Sequence, residues 1–203
     1  MTESQKRGAL VFFGKGNCVA CHAVAGQSNE MFSDFKMHNI GVPQIAPAFG
    51  VGLGNVIFDG PGENEDFGLE QVTGNPADRY AFRSSPLRNL ALQPAFFHNG
   101  AYTRLEDAIR HHLNVPESVL SYHPAIAGVA RDLSYSLRAM EPVLATLDPL
   151  LASPIQLTDL EFSDLVAFVR NGLLDPEAAP ALLCRLIPES VPSGRPMLFF
   201  QGC

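Results

Sequence analysis

The chain has 203 residues, 46% of them hydrophobic and 17% charged, which is enough apolar material for one domain with a real core and an extension. A net charge of -7 excludes the basic surface that nucleic acid requires, and no apolar run approaches the ~20 residues of a membrane span. Four cysteines are too few for disulfides to organise a fold of this size.

In chain order, Met1 to Arg7 leads directly into a helix expected over 4–14, with no signal-peptide pattern. Leu10, Val11 and Phe13 supply its apolar positions, and Gly14 and Gly16 break it. The run Gly16-Asn17-Cys18-Val19-Ala20-Cys21-His22 follows. From about 24 to 95 the chain is rich in turn formers (PQIAPAFGVGLGN, DGPGENEDFG, TGNPAD) and lacks sustained periodicity. So long a stretch needs an organiser other than secondary structure, and a large buried cofactor would serve. Thr103-Arg104-Leu105-Glu106 reads as a capping box opening a helix that runs to about Leu113. A further helix is expected over 129–146. Thr158-Asp159-Leu160-Glu161 is a second capping box, whose helix closes at Gly172. The proline-rich tail from Asp175 is expected to be extended, with one short helical turn. The class is mostly α with long irregular loops, divided into a domain at 1–174 and an extension at 175–203.

Cys18-x-x-Cys21-His22 is the spacing that carries chemistry. Two thiols at one porphyrin edge and a histidine directly after them supply two thioether anchors and an iron ligand. A thioredoxin-like pair would want a βαβ context, which is missing. A zinc ribbon would want a second pair at similar spacing, whereas Cys184 and Cys203 are 19 apart. A disulfide across two intervening residues is strained. The reading is one covalent haem c, anchored by Cys18 and Cys21 with His22 as the proximal ligand. Haem c is attached after export, so a periplasmic or exported location is expected. Without a visible signal peptide, the chain is expected to be a processed form or a segment of a longer multi-haem protein. In such a compartment Cys184 and Cys203 could pair.

The iron's other face decides between electron transfer and open-site chemistry. In the helix after Arg104, Leu105, Ala108, Ile109 and Leu113 form an apolar stripe that contains His112, while His111 is turned about 100° away beside Arg104 and Asp107. A histidine on a buried face needs a polar partner, and iron or a backbone carbonyl would each satisfy it. Met140, His111 and His123 are the other candidates. The acidic groups Glu63, Glu65, Asp66 and Asp159, Glu161, Asp164 read as loop and helix surface rather than metal sites.

Residues 82–112, FRSSPLRNLALQPAFFHNGAYTRLEDAIRHH, together with the haem segment and the run Phe35-Lys36-Met37-His38-Asn39-Ile40-Gly41-Val42, carry a family pattern. They resemble the C-terminal haem domain of the bacterial di-haem cytochrome c peroxidase and MauG family, in pieces over roughly 5–173. The resemblance implies a cytochrome c-like helical haem domain. In that family peroxide reacts at a haem in the N-terminal domain, while the C-terminal haem passes electrons or, in the MauG branch, stabilises a high-valent state. One Cys-x-x-Cys-His and no tryptophan, including the family's bridging one, leave this chain with the second role. Its expected function is electron transfer through one haem, to or from another haem domain or subunit, with a redox partner protein. The alternative is a peroxidase-type haem enzyme acting on peroxide or a small nitrogen or sulfur compound at an open iron. A structural subunit is a third reading.

The alignment places His112 where family members carry an axial methionine or, in the MauG branch, a tyrosine. Bis-histidine ligation would lower the reduction potential. His98 matches the family's histidine near the haem and the interdomain face, and Arg83 and Arg88 match arginines that could pair with propionates or fix the loop. The family's interdomain calcium uses carbonyls just before the Phe-His-Asn-Gly turn. Gln93-Pro94-Ala95 replaces Thr-x-Pro there, so calcium is admitted but not expected.

Overall fold

The computed structural model describes residues 1–47, 65–136, 139–200 and 203. Helix α1 (Glu3–Phe13) starts at a capping box, with the Thr2 hydroxyl accepting from the Gln5 N–H and the Gln5 side chain accepting from the Thr2 N–H. Short elements follow: β1 (Met37–His38), β2 (Ile45–Ala46), α2 (Glu70–Thr73) and β3 (Phe82–Arg83). Then come α3 (Leu105–Leu113), α4 (Val115–Leu120), β4 (Tyr135–Ser136), α5 (Glu141–Ala145), α6 (Asp159–Ala167) and α7 (Pro180–Leu183). The strands make two antiparallel two-stranded ladders, β1 with β3 and β2 with β4. Helix is the main regular structure among the described residues, about 42% of the chain, with few strands and long irregular connections.

The first core forms where α1 crosses α6. Val11, Phe12, Leu165, Phe168 and Val169 pack with Phe32 and Leu105. Phe12 meets Phe168 and Phe32 edge-on, with ring centroids 5.4 and 5.8 Å away. The crossing is sealed at its rim by Arg7, whose guanidinium grips Asp164 at 2.6 and 3.0 Å. The second core joins Val42, Ile45, Ala101, Tyr102, Ala108 and Ala127. Helix α3 lies between the two, giving Leu105 to one and Ala108 to the other.

Three local expectations need correction. Thr103 does not cap α3: its hydroxyl donates to the Ala127 carbonyl at 2.8 Å, Arg104 takes the cap position, and Glu106 pairs with Arg170. A tertiary partner for Thr103 outcompetes the local one. The continuous helix over 129–146 is absent. Pro142 has no N–H to bond back to the preceding turn and its ring would crowd that turn's carbonyl, so it fits only in a first turn, and α5 starts at Glu141. Upstream, Tyr135 and Ser136 pair with Ala46 and Ile45. Of the acidic groups, Glu63 lies outside the described residues, but Glu65 and Asp164 are buried rather than on the surface. Tyr80 donates to Glu65, and Arg7 neutralises Asp164. The capping box at Thr158 forms as expected, and α6 widens into a π-type turn over Phe168–Gly172. The tail carries more helix than one turn and is closed by a Cys184–Cys203 disulfide.

Candidate functional site

Beside the first core lies a cavity of about 420 Å³, walled largely by leucine and phenylalanine side chains and reached by Cys18, Cys21 and His22 from one side and His112 from α3. The motif is shaped by a tight turn over Cys18–Ala20, entered through Asn17 in the left-handed region (φ 49°), where asparagine is tolerated. The His22 N–H donates to the Cys18 carbonyl at 2.9 Å, and the next loop braces the motif through Asp34 N–H to the Cys21 carbonyl at 2.8 Å.

The two histidines are held in matching ways. His22 Nδ1 is 3.0 Å from the Phe32 carbonyl, and His112 Nδ1 is 2.8 Å from the Ala108 carbonyl. A carbonyl only accepts, so each Nδ1 carries the proton and each Nε2 is left with a free lone pair. The ring centroids are 6.4 Å apart. Two imidazoles bound to one metal at about 2.0 Å, with roughly 1.1 Å from nitrogen to ring centre, have centroids a little over 6 Å apart. Burial, and then the nearby His112, push His22 down to about 4, and burial lowers His112 as well. Both rings are therefore neutral at pH 7, as ligation requires.

The thiols carry the opposite message to a redox pair. Burial pushes both Cys18 and Cys21 up to about 11, whereas a reactive Cys-x-x-Cys thiol is depressed. An apolar cavity, two protonated thiols at one side and two neutral imidazoles with free Nε2 atoms together fit a haem. Cys18 and Cys21 would hold it covalently and His22 and His112 would take its iron.

The other candidates for the iron are placed elsewhere. His111 is fully buried, not turned toward Arg104 and Asp107 as the single apolar stripe implied, because α3 is covered on two sides. Its Nε2 is 2.8 Å from the Ile40 carbonyl and its Nδ1 is 3.1 Å from Ser118 Oγ, so both nitrogens are used within the protein. Met140 accepts the Gln44 N–H through sulfur and packs with Phe67, Tyr80 and Val143, away from the cavity. His123 is exposed on a separate cleft beside α4. Arg83 lies at the cavity with its guanidinium over the Phe35 ring, and His98 stacks on Phe82 at 3.6 Å with Nε2 2.9 Å from Asp66. Arg88 is exposed and lies outside the cavity lining. His38, named in the sequence only as part of a motif, does line it.

No protein-family model matches the chain. It is 34% identical over 118 residues to the cytochrome-c peroxidase IdrP1 of Pseudomonas sp. (strain SCT), covering 52% of this chain and 30% of that protein. It is 30% identical over 153 residues to the methylamine utilization protein MauG of Methylorubrum extorquens, covering 75% of this chain and 36% of that protein. The chain belongs to the di-haem cytochrome c peroxidase and MauG family. The fold agrees: the crystal structure of a MauG-like protein associated with microbial copper homeostasis superimposes with a TM-score of 0.59 at 24% identity, over 90% of this chain and 50% of that one. The chain spans about a third of the length of these curated relatives. Its likeness to the family extends to a haem c cofactor, and none of its described helices is long and apolar enough to cross a membrane.

Proposed function

We propose that this chain is a c-type cytochrome unit that carries single electrons through one haem bound to Cys18 and Cys21, with the iron held between His22 and His112. The observation that carries the reading is the pair of imidazoles at one cavity, each with Nδ1 tied to a backbone carbonyl and centroids 6.4 Å apart. When bound, haem supplies a one-electron ferric–ferrous couple. The chain's own residues keep both imidazoles neutral and wall the cavity with leucine and phenylalanine, and His22 and His112 would hold the iron between them, which would leave peroxide no place to bind. Arg83 and His98 contribute to the cavity rim.

In this reading residues 1–174 form the haem domain and 175–203 a disulfide-closed extension. Covalent attachment and the Cys184–Cys203 bridge both suit an exported, periplasmic setting. The electrons would pass to or from a haem on a partner domain or subunit, since the family relatives are about three times as long as the matched region. The peroxidase names of those relatives favour one alternative, that the iron here opens and meets peroxide directly. Optical spectra of the ferric protein separate the two. A low-spin spectrum that cyanide and peroxide leave unchanged supports electron transfer, and a high-spin spectrum that either reagent alters overturns it.

A further inference from the structure

His38 lies at the end of β1 and lines the cavity next to Cys21, with its Nδ1 3.9 Å from the Cys21 sulfur. Its two ring nitrogens meet two different carboxylates: Nδ1 is 2.7 Å from Asp148 Oδ2 and Nε2 is 3.0 Å from Asp34 Oδ2. A carboxylate only accepts, and a neutral imidazole has one N–H to give. Donation at both nitrogens therefore requires the imidazolium. Water screens the cluster weakly, because the three side chains retain 13%, 12% and 19% of their exposure. The far oxygen of each carboxylate is held by backbone, Asp34 by the Lys36 N–H and Asp148 by the Leu150 N–H, both at 2.9 Å. The charge cannot swing away from the cavity. The other charged or titratable groups around it are Lys36 beyond Asp34, the Cys21 thiol, His22 next to Cys21 in the chain, and Arg83, on the paired strand β3 and at the same cavity.

We propose that His38, clamped between Asp34 and Asp148 beside Cys21, sets the reduction potential of the bound haem: its imidazolium raises the potential and the two carboxylates lower it. Reduction adds an electron at the iron, so a nearby fixed cation favours the ferrous state and a nearby anion the ferric state. His38 acts through the field it imposes and touches no reacting atom, which makes it a positioning residue. The inference rests on the haem reading above.

The test is a spectroelectrochemical titration at pH 7 of the full haem-loaded chain and of His38→Gln, His38→Lys and Asp148→Asn. Weakly screened, one charge should change the ferric–ferrous equilibrium constant by about threefold to tenfold, the upper limit being 59 mV for one electron. His38→Gln should lower the potential, Asp148→Asn should raise it, and His38→Lys should restore it toward wild type. A general loosening of the fold would move the first two in the same direction. Shifts of equal sign, shifts under twofold, or no recovery in the lysine variant would each overturn the proposal. A wild-type chain that carries no covalent haem on a denaturing gel sinks the haem reading and this inference with it. A loaded chain with unmoved potentials sinks the inference alone.

Discussion

Gly8 in α1 lies so close to Asp164 in α6 that a β-carbon at Gly8 would fall 1.9 Å from the Asp164 carbonyl oxygen. The two helices come from opposite ends of the haem domain, and this contact sets how nearly their axes approach. Only glycine allows it, and Arg7 then locks the crossing by binding the Asp164 carboxylate one residue away. Everything the cavity needs from the first core depends on this approach, since Phe12 and Leu165 both line it.

A methyl group at Gly8 must therefore push the helices apart. Gly8→Ala is expected to destabilise the chain by about 1–3 kcal/mol through overpacking. For a chain of this size that corresponds to a fall of roughly 3–10 °C in melting temperature. Thermal denaturation followed by circular dichroism checks it, and an unchanged midpoint would mean that α1 and α6 do not meet at this residue.

Phe12 is 1% exposed and touches Phe32 and Phe168 edge-on. Phe12→Ala removes the ring from the centre of that cluster and is expected to cost about 3–5 kcal/mol, the usual range for a buried phenylalanine. Urea unfolding should show a lower midpoint at constant slope. A loss below 1 kcal/mol would place the ring outside the core.

The parts of this fold that were legible in the sequence are those with short-range causes. The capping box at Thr158 needs only a few neighbouring residues, and the apolar positions and glycines of the first helix mark its extent. Cys18, Cys21 and His22 stand out in the sequence by consecutive spacing alone, and the structure brings all three to one cavity. His112 was readable as a helical position facing inward. What failed depended on distant segments. Thr103 bonds 24 residues away instead of capping its own helix, and His111 is buried because a second core covers the far side of α3. His38 was missed as a site residue because its meaning lies in Asp148, 110 positions along the chain. No local pattern announces such a partner.

The His38 clamp has a definite pH dependence. Burial opposes the charged ring, but the hydrogen bonds to Asp148 and Asp34 outweigh it and raise His38 above its ordinary 6.5. A folded value above the unfolded one contributes stability that is fully present below pH 6.5 and is lost as pH rises through the raised value. Asp34 works in the other direction. Burial opposes its ionisation, yet the Lys36 N–H and His38 hold it below 3.8, so its contribution is present above 3.8 and fades as pH falls through the lowered value. The stability gap between wild type and His38→Gln should thus be widest between pH 3.8 and 6.5 and shrink in alkaline solution. Urea titrations at pH 5.5 and 9 measure it. A gap that grows toward pH 9 would contradict the charged clamp.

The Cys184–Cys203 bridge closes a tail whose described side chains do not line the cavity. Replacing both cysteines with serine should leave the haem spectrum unchanged while exposing the segment around Leu186 and Phe199 to protease, since both residues are already highly exposed. Limited proteolysis followed by mass spectrometry reads the cut sites. An altered haem spectrum would show that the tail reaches the iron site after all.

Ligation of the iron by both His22 and His112 is tested most directly by low-temperature electron paramagnetic resonance of the ferric protein and its His112→Ala variant. A low-spin signal is expected for the wild type and a high-spin signal for the variant, with covalent haem retained through Cys18 and Cys21 in both. A wild-type chain that is already high-spin, or a variant that stays low-spin, would contradict it.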